Sequence, residues 1–276
     1  MKLLTTTLLL LLCSCASQTR IPAPVRAAIS ARHLGRAVEL RHSCYYGDLY
    51  DENEKWLLSP YPFAETYHIV DLDGAPIHPH GQRGVIPAGT PFVIKEIEFP
   101  DTAALAKRML TTPRYNPWVY LTPASEAVGL PAGRSFFILL LPMDLESETT
   151  VEKALNEALA PKGEVSAWLA ARRPTVQAAI GNKEAIAGMS EAEVVAALGS
   201  PPRWFAEQNG TIPVRVAWYP GREVWLEKDT VTEVKPARPE PAPVVAPPGS
   251  TPPAAGAASG SPPPATKQQP APPLSP

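Results

Sequence analysis

The sequence predicts a multidomain chain: a mostly-β small barrel or sandwich, a helical connector, an α+β unit in which helix and helix precede a three-stranded antiparallel meander, and a disordered proline-rich tail. Three observations predict it. Between residues 36 and 145, short apolar runs of strand length are punctuated by Gly and Pro. After Met143 the apolar spacing changes to threes and fours, and strand texture returns after Gly199. The chain has 35 prolines in 276 residues, and fifteen of them crowd into Pro236 to Pro276. The formal charge is −2. Setting aside Lys2 of the leader and Arg238, Glu240 and Lys267 of the tail leaves 22 Lys+Arg against 26 Asp+Glu, a net −4 with no basic stripe. No nucleic-acid partner is therefore expected.

The first element is a leader. Lys2 precedes Leu3 to Leu12, an apolar run of about ten residues against the ~20 a spanning helix needs, so 1–14 reads as a signal peptide. Leu12-Cys13-Ser14-Cys15 resembles the bacterial lipobox, with the aliphatic and small residues placed for Cys15 and not for Cys13. The resemblance implies cleavage before Cys15 and a lipid (diacylglyceryl plus an acyl chain such as palmitate) on its thiol and amine. That covalent lipid is the only group the chain is expected to carry. Ordinary secretion with cleavage nearby is the alternative. Ala16 is no retention signal by the enterobacterial sorting rule, which favours the outer membrane facing the periplasm. Residues 15–35, with Pro22 and Pro24, then read as anchor and tether ending in one or two helical turns. Cys44, left over in an oxidising compartment, is read as a small buried core residue rather than a nucleophile.

Residues 36–145 form the β unit. Val38, Leu40 and Cys44 mark one strand, and Glu65 to Leu72 alternates as another, ending at the turn signal Asp73-Gly74. A strand from Phe92 to Phe99 follows Ile86 to Thr90; its apolar positions change face near Lys95-Glu96, which predicts a bulge. Trp118 to Leu121 and Phe136 to Leu141 are two more, the latter continuously apolar as a strand buried on both faces would be. Gly84 to Ile94, with Pro87-Ala88-Gly89-Thr90 at its centre, resembles the strand opener of bacterial SH3-like barrels, which implies that fold for this unit.

The connector, 146–181, begins with a capping box at Thr149 to Glu152 and an apolar stripe of Val151, Leu155, Ala158 and Leu159. Gly163 breaks it, and Val165, Trp168 and Leu169 start a helix that Pro174 stops or kinks. In 182–235, Asn182 to Gly188 is a further turn or two. Ser190 to Glu193 is a second capping box, whose helix runs to Leu198 and ends at Gly199 in the left-handed conformation before Pro201. Three strands follow: Arg203 to Glu207, Val214 to Tyr219, and Glu223 to Glu227 leading on to Val234. Met189, Val194 and Leu198 fit one helical face, with Trp218-Tyr219 beneath it. Together Gly188, Met189, Ser190, Val194, Leu198, Gly199, Pro201, Trp218 and Tyr219 resemble the SmpA/OmlA (BamE-like) family of small outer-membrane lipoproteins. That resemblance implies a non-catalytic accessory role beside the machine that inserts β-barrel proteins, or in envelope integrity.

His78 and His80, with Asp71 and Asp73 upstream, have the ligand types for a metal, but Pro76 and Pro79 make an exposed hairpin loop, and no metal is expected. His33 and His42 lack a nucleophile partner. No nucleophile elbow, zinc-protease helix or phosphate loop is present, so the chain is not expected to be an enzyme. Trp56 and Tyr61 in one Pro-containing loop, and Tyr115 and Trp118 after Pro113, could line a groove of SH3 type or pack the core. The tail, 236–276, carries three charged residues and almost no large apolar side chain. It cannot offset its ordering entropy, and as polyproline II it would reach at most ~130 Å. The functional expectation is a scaffold or binding component at the periplasmic face, with an envelope protein as partner. A peptidoglycan- or peptide-binding β unit is the alternative, and an envelope enzyme the third reading. Mass spectrometry of the mature chain is expected to show an N-terminal Cys15 bearing acyl mass; an unacylated Cys15, or no cleavage before it, would overturn the lipoprotein reading.

Overall fold

The structure, a computed structural model, describes residues 19–50, 52–66, 69–70, 75–101, 104 and 116–239. Those up to Arg238 belong to one compact unit. Helix α1 (Ala23–His33) opens it, with Pro24 in the first turn, where a missing N–H costs nothing. Ile21 and Ile29 are 1% and 0% exposed in the main core. The stretch read as tether up to residue 35 is therefore part of the fold from Ile21 onward, because its two isoleucines are buried rather than solvated.

Ten strands follow: β1 (Ala37–Leu40), β2 (Cys44–Leu49), β3 (Glu52–Ser59), β4 (Ile69–Val70), β5 (Pro76–Ile77), β6 (Gln82–Ile86), β7 (Pro91–Glu98), β8 (Trp118–Pro123), β9 (Phe136–Leu140) and β10 (Leu159–Pro161). Strands β4 and β5 pair with each other; the other eight form one mixed sheet in the order β10-β1-β7-β8-β9-β3-β2-β6. Among the described residues, only β3 and β9 run parallel. No closed SH3-like barrel is formed, and the physical reason lies at a corner. The chain from β1 to β2 and the chain from β6 to β7 bend together, held by Gly89 N–H to the Leu40 carbonyl at 2.8 Å. At the bend, Ser43 turns its backbone N–H to the Ala196 carbonyl at 2.9 Å instead of to a strand. The ladder is thus interrupted where the helices dock, and the sheet stays open.

The bulge foreseen near Lys95 is present, as a register shift between Ile94 and Glu96 against β8. Phe137 and Leu139 enter one core and Ile138 another, which makes β9 a strand buried on both faces. That first core also takes Val38, Phe92 and Leu121 from the sheet and Ile29, Val151 and Leu155 from the helices. The sequence places Trp56 in a loop, whereas Glu52–Ser59 is strand β3, and it reads Glu65 to Leu72 as one strand. In the structure Phe63–Glu65 is a 3-10 turn and, among the described residues of that stretch, Ile69–Val70 pairs with β5.

Helix α2 (Glu148–Ala158) is capped by Ser147 with Thr150, two residues ahead of the box expected at Thr149-Glu152. After it come α3 (Glu164–Ala170), α4 (Pro174–Gly181) and α5 (Glu191–Leu198). Pro174 opens a new helix rather than stopping one, since its fixed φ suits a first turn. Strand β10, inside the expected connector, joins the sheet beside β1. The meander has four strands, not three: β11 (Arg203–Asn209), β12 (Ile212–Tyr219), β13 (Arg222–Glu227) and β14 (Thr230–Pro236). The fourth arises because Lys228, at φ 55, reverses the chain within what reads as one continuing strand, Glu223 to Val234.

Pro236 pairs with Arg222, and Arg238 closes the unit, so the expected tail boundary moves to the C-terminal side; residues 240–276 lie outside the described residues. The Arg238 guanidinium contacts Glu223 and Glu207, and its carbonyl accepts Trp218 Nε1–H at 3.3 Å. Those bonds hold the Glu223 carboxyl down to about 2. Glu223 is 3% exposed. Arg238→Ala would strand that carboxylate and is expected to cost about 1–3 kcal/mol, read by urea unfolding of the full chain. Ending the chain after Pro239 should change stability by less than about 0.5 kcal/mol.

Candidate functional site

The corner Arg41-His42-Ser43 brings the sheet against the helices. Ser43 Oγ donates to the Ile180 carbonyl at 2.6 Å and accepts the Ala88 N–H at 2.9 Å. Lys183, 2% exposed and at φ 58 just past α4, donates from Nζ to the carbonyls of Ser43 at 2.5 Å and Ala197 at 3.0 Å. Burial lowers its ammonium to about 8. Burial, and then the Lys183 charge, lower the His42 imidazole to about 4. Burial pushes the Cys44 thiol up to about 11, so it packs as an apolar group and not as a thiolate. Glu39, 3% exposed, accepts the N–H groups of Val165 and Ser166 at 2.9 and 3.0 Å and so caps α3.

A groove of about 630 Å³ lies over this joint. Its floor is apolar: Val165 and Trp168 of α3, and Ala192, Val195 and Ala196 of α5. Its rim carries Glu157, Glu164, Glu191 and Asp229 against the single guanidinium of Arg41. Arg41 is fixed by Glu164 at 2.9 Å and the Leu159 carbonyl at 3.1 Å. Glu191 is taken by Arg215 at 2.6 Å. His42 lines the inner wall, neutral at ordinary pH. An apolar floor with a few fixed polar groups is the usual construction of a binding site.

Of the two readings of the β-unit aromatics, groove or core, the described tryptophans follow the core. Trp56 and Trp118 are 6% and 1% exposed and belong to separate cores on opposite faces of the sheet. Trp56 lies under the Arg134 guanidinium, 3.8 Å from its ring centre. Tyr61 is spent on tying the end of β3 to the chain after α5, its hydroxyl donating to the Ser200 carbonyl at 2.6 Å. Tyr115, Asp71, Asp73 and Cys15 lie outside the described residues. His78 Nδ1 donates to the Thr66 carbonyl at 3.0 Å, and His80 is exposed. Among the described residues no group of three or more His, Cys, Asp or Glu is placed to hold a metal. His33 contacts Glu152 at 2.9 Å.

The motif residues of the C-terminal unit fall at structural positions. The Ser190 hydroxyl accepts the Glu193 N–H, and the Glu193 carboxylate accepts the Ser190 N–H, as the second capping box requires. Met189, Val194 and Leu198 are buried in one core, and Gly188 donates its N–H to the Val231 carbonyl. Two expectations are corrected. Gly199 is not left-handed helical but at φ 86 and ψ 179, a region only glycine visits readily; Pro201 follows it into β11. Trp218 does not join Tyr219 under the helix, because neighbours on a strand face opposite ways. Tyr219 enters that core and donates to the Gly199 carbonyl at 2.9 Å, whereas Trp218 lies on the other side with Arg238. Among the described residues no helix is long and apolar enough to cross a membrane. No family model, curated protein or solved structure matches this chain.

His42 gives a pH test of the joint. Its folded value of about 4 lies below the ordinary 6.5. The unfolded chain therefore takes up a proton first as pH falls from 6.5 to 4, and stability drops over that window and not above it. The drop due to His42 is expected to be about 3 kcal/mol. In urea unfolding at pH 4 and pH 7, His42→Leu should lose that much of the wild-type difference; an unchanged difference would show that His42 is not held neutral.

Proposed function

We propose that this chain is a non-catalytic, lipid-held binding component of the outer membrane that offers its groove to a protein partner on the periplasmic side. The observation that carries the reading is the groove itself: an apolar floor from α3 and α5, and a charged rim to which the sheet corner, α2, α3, α5 and the β13–β14 turn contribute. The nucleophile-type groups beside it support binding over catalysis. Ser43 Oγ and Lys183 Nζ both donate to backbone carbonyls, and Cys44 is buried as a thiol.

The membrane half of the proposal rests on the lipobox-like residues and gains a geometric consequence. Only three residues lie between Cys15 and Thr19, where the described chain begins, a reach of at most about 14 Å over four Cα steps. A lipid on Cys15 would hold the folded unit close to the bilayer surface, with α1 entering from that side. The motif resembling the SmpA/OmlA family supports a role in outer-membrane protein assembly as the first process to test.

A photo-crosslinking residue placed at Ala192, exposed at the groove, and at the exposed Gln177 on α4 tests this in the membrane-anchored full chain. Adducts with outer-membrane assembly proteins are expected from Ala192 and not from Gln177. The same adducts from both positions, or muropeptides alone, would overturn the proposal.

A further inference from the structure

The charge around the groove is unbalanced, and the imbalance points to a class of partner. Among the lining residues four carboxylates face one guanidinium. Two of the four are neutralised within the fold, Glu164 by Arg41 and Glu191 by Arg215. Glu157 has only Lys153, at 3.8 Å in an exposed pair, and Asp229 has no ion-pair partner among the described residues. The neighbouring cations do not fill the gap: Arg172 turns to Glu193 and to the ring of Trp168, and Lys228 is exposed beside Asp229 in the turn. His42 contributes no charge near neutral pH, since burial holds its imidazole well below the ordinary range.

These two under-compensated carboxylates line the same groove as the apolar floor. Trp168 and Val195 are half-buried and Ala192 is exposed, so apolar surface is left for a partner to cover. A volume of about 630 Å³ lies within the ordinary range of sites that enclose a small ligand or a few side chains. An occupant must therefore combine an apolar anchor for the floor with positive charge for the rim. Anionic lipid headgroups and the carboxylates of wall stem peptides have the wrong sign for such a rim.

Resting on the reading of the groove as a binding site, we infer that its occupant is a cationic segment of another polypeptide, one in which lysines or arginines flank an aliphatic or aromatic side chain. The anchor covers Trp168 and Val195, and the flanking cations meet Glu157 and Asp229. Charge on the rim sets which segment is admitted; the floor holds it.

Fluorescence anisotropy with the purified full chain tests this using three labelled hexapeptides, KLKFLK, ELEFLE and KSKSSK. KLKFLK is expected to bind, and the other two to bind at least about tenfold more weakly. The double variant Glu157→Gln with Asp229→Asn, both at exposed positions, should weaken KLKFLK about tenfold. Ala192→Trp should block it, with circular dichroism of both variants unchanged. ELEFLE binding as well as KLKFLK would overturn the cationic class while leaving the groove as a binding site. KLKFLK binding untouched by either variant would place the peptide elsewhere and overturn the inference. If no peptide binds while Ala192 still gives its specific crosslinks, the occupant class is wrong and the binding reading stands. If those crosslinks are also missing, both fall.

Discussion

One buried ammonium holds the molecule at its joint. Lys183 Nζ donates at once to Ser43 at the sheet corner and to Ala197 near the end of α5. Neither carbonyl is satisfied by a strand partner at that point, because the chain is bending there and the helix is ending. Removing a buried carbonyl from water without a donor costs about 1–3 kcal/mol. A lysine long enough to reach both discharges the two obligations with one group. Its own cost is visible in the shift from 10.5 to about 8, on the order of 3 kcal/mol while the amine is charged. The unfolded lysine keeps its proton to higher pH, so this penalty fades as pH rises from 8 to 10.5.

Several other features follow from that joint. Ser43 faces the helices with its N–H, its hydroxyl and its carbonyl, so the corner cannot continue the ladder and the eight strands remain an open sheet. The α5 backbone approaches closely enough for Gly199 to be required: a Cβ there would come within 2.9 Å of Pro60. His42, next in the corner, is drawn under the same helix and kept neutral. The groove lies over these residues, floored by apolar side chains of α3 and α5, and its rim carries charges from α2, from the first turns of α3 and α5 and from the β13–β14 turn.

How far this was legible in the sequence depends on whether a residue answers to its neighbours in the chain or to distant ones. Phe136 to Leu140 is continuously apolar, and burial on both faces follows from local pattern alone. The Ser190-Glu193 box and the bulge after Ile94 are likewise local, and both were foreseen. Trp218-Tyr219 shows the limit of matching a motif by type without strand geometry: adjacent residues cannot share a face. The parts that build the site were not legible at all. Lysine is almost never fully buried without a partner, and the partners of Lys183 lie 140 and 14 residues away. Glu39, between Val38 and Leu40, reads as the solvent side of a strand, yet it is 3% exposed because α3 sets its first turn upon it.

The same distinction bears on what the fold is for. Polar side chains beside a reactive centre are normally kept short of partners by the scaffold, ready for a substrate. Three of the buried ones here are fully engaged: Ser43 bonds in two directions, Lys183 in two, and Glu39 with three donors from Val165 and Ser166. The groups short of partners are instead at the groove rim, on Glu157 and Asp229, in water and over an apolar floor. Unspent charge at the surface steers and selects an oppositely charged segment, whereas unspent charge in the interior would be needed to move protons or electrons. Satisfaction inside and deficit at the rim support the proposal that the groove takes an oppositely charged segment of another chain.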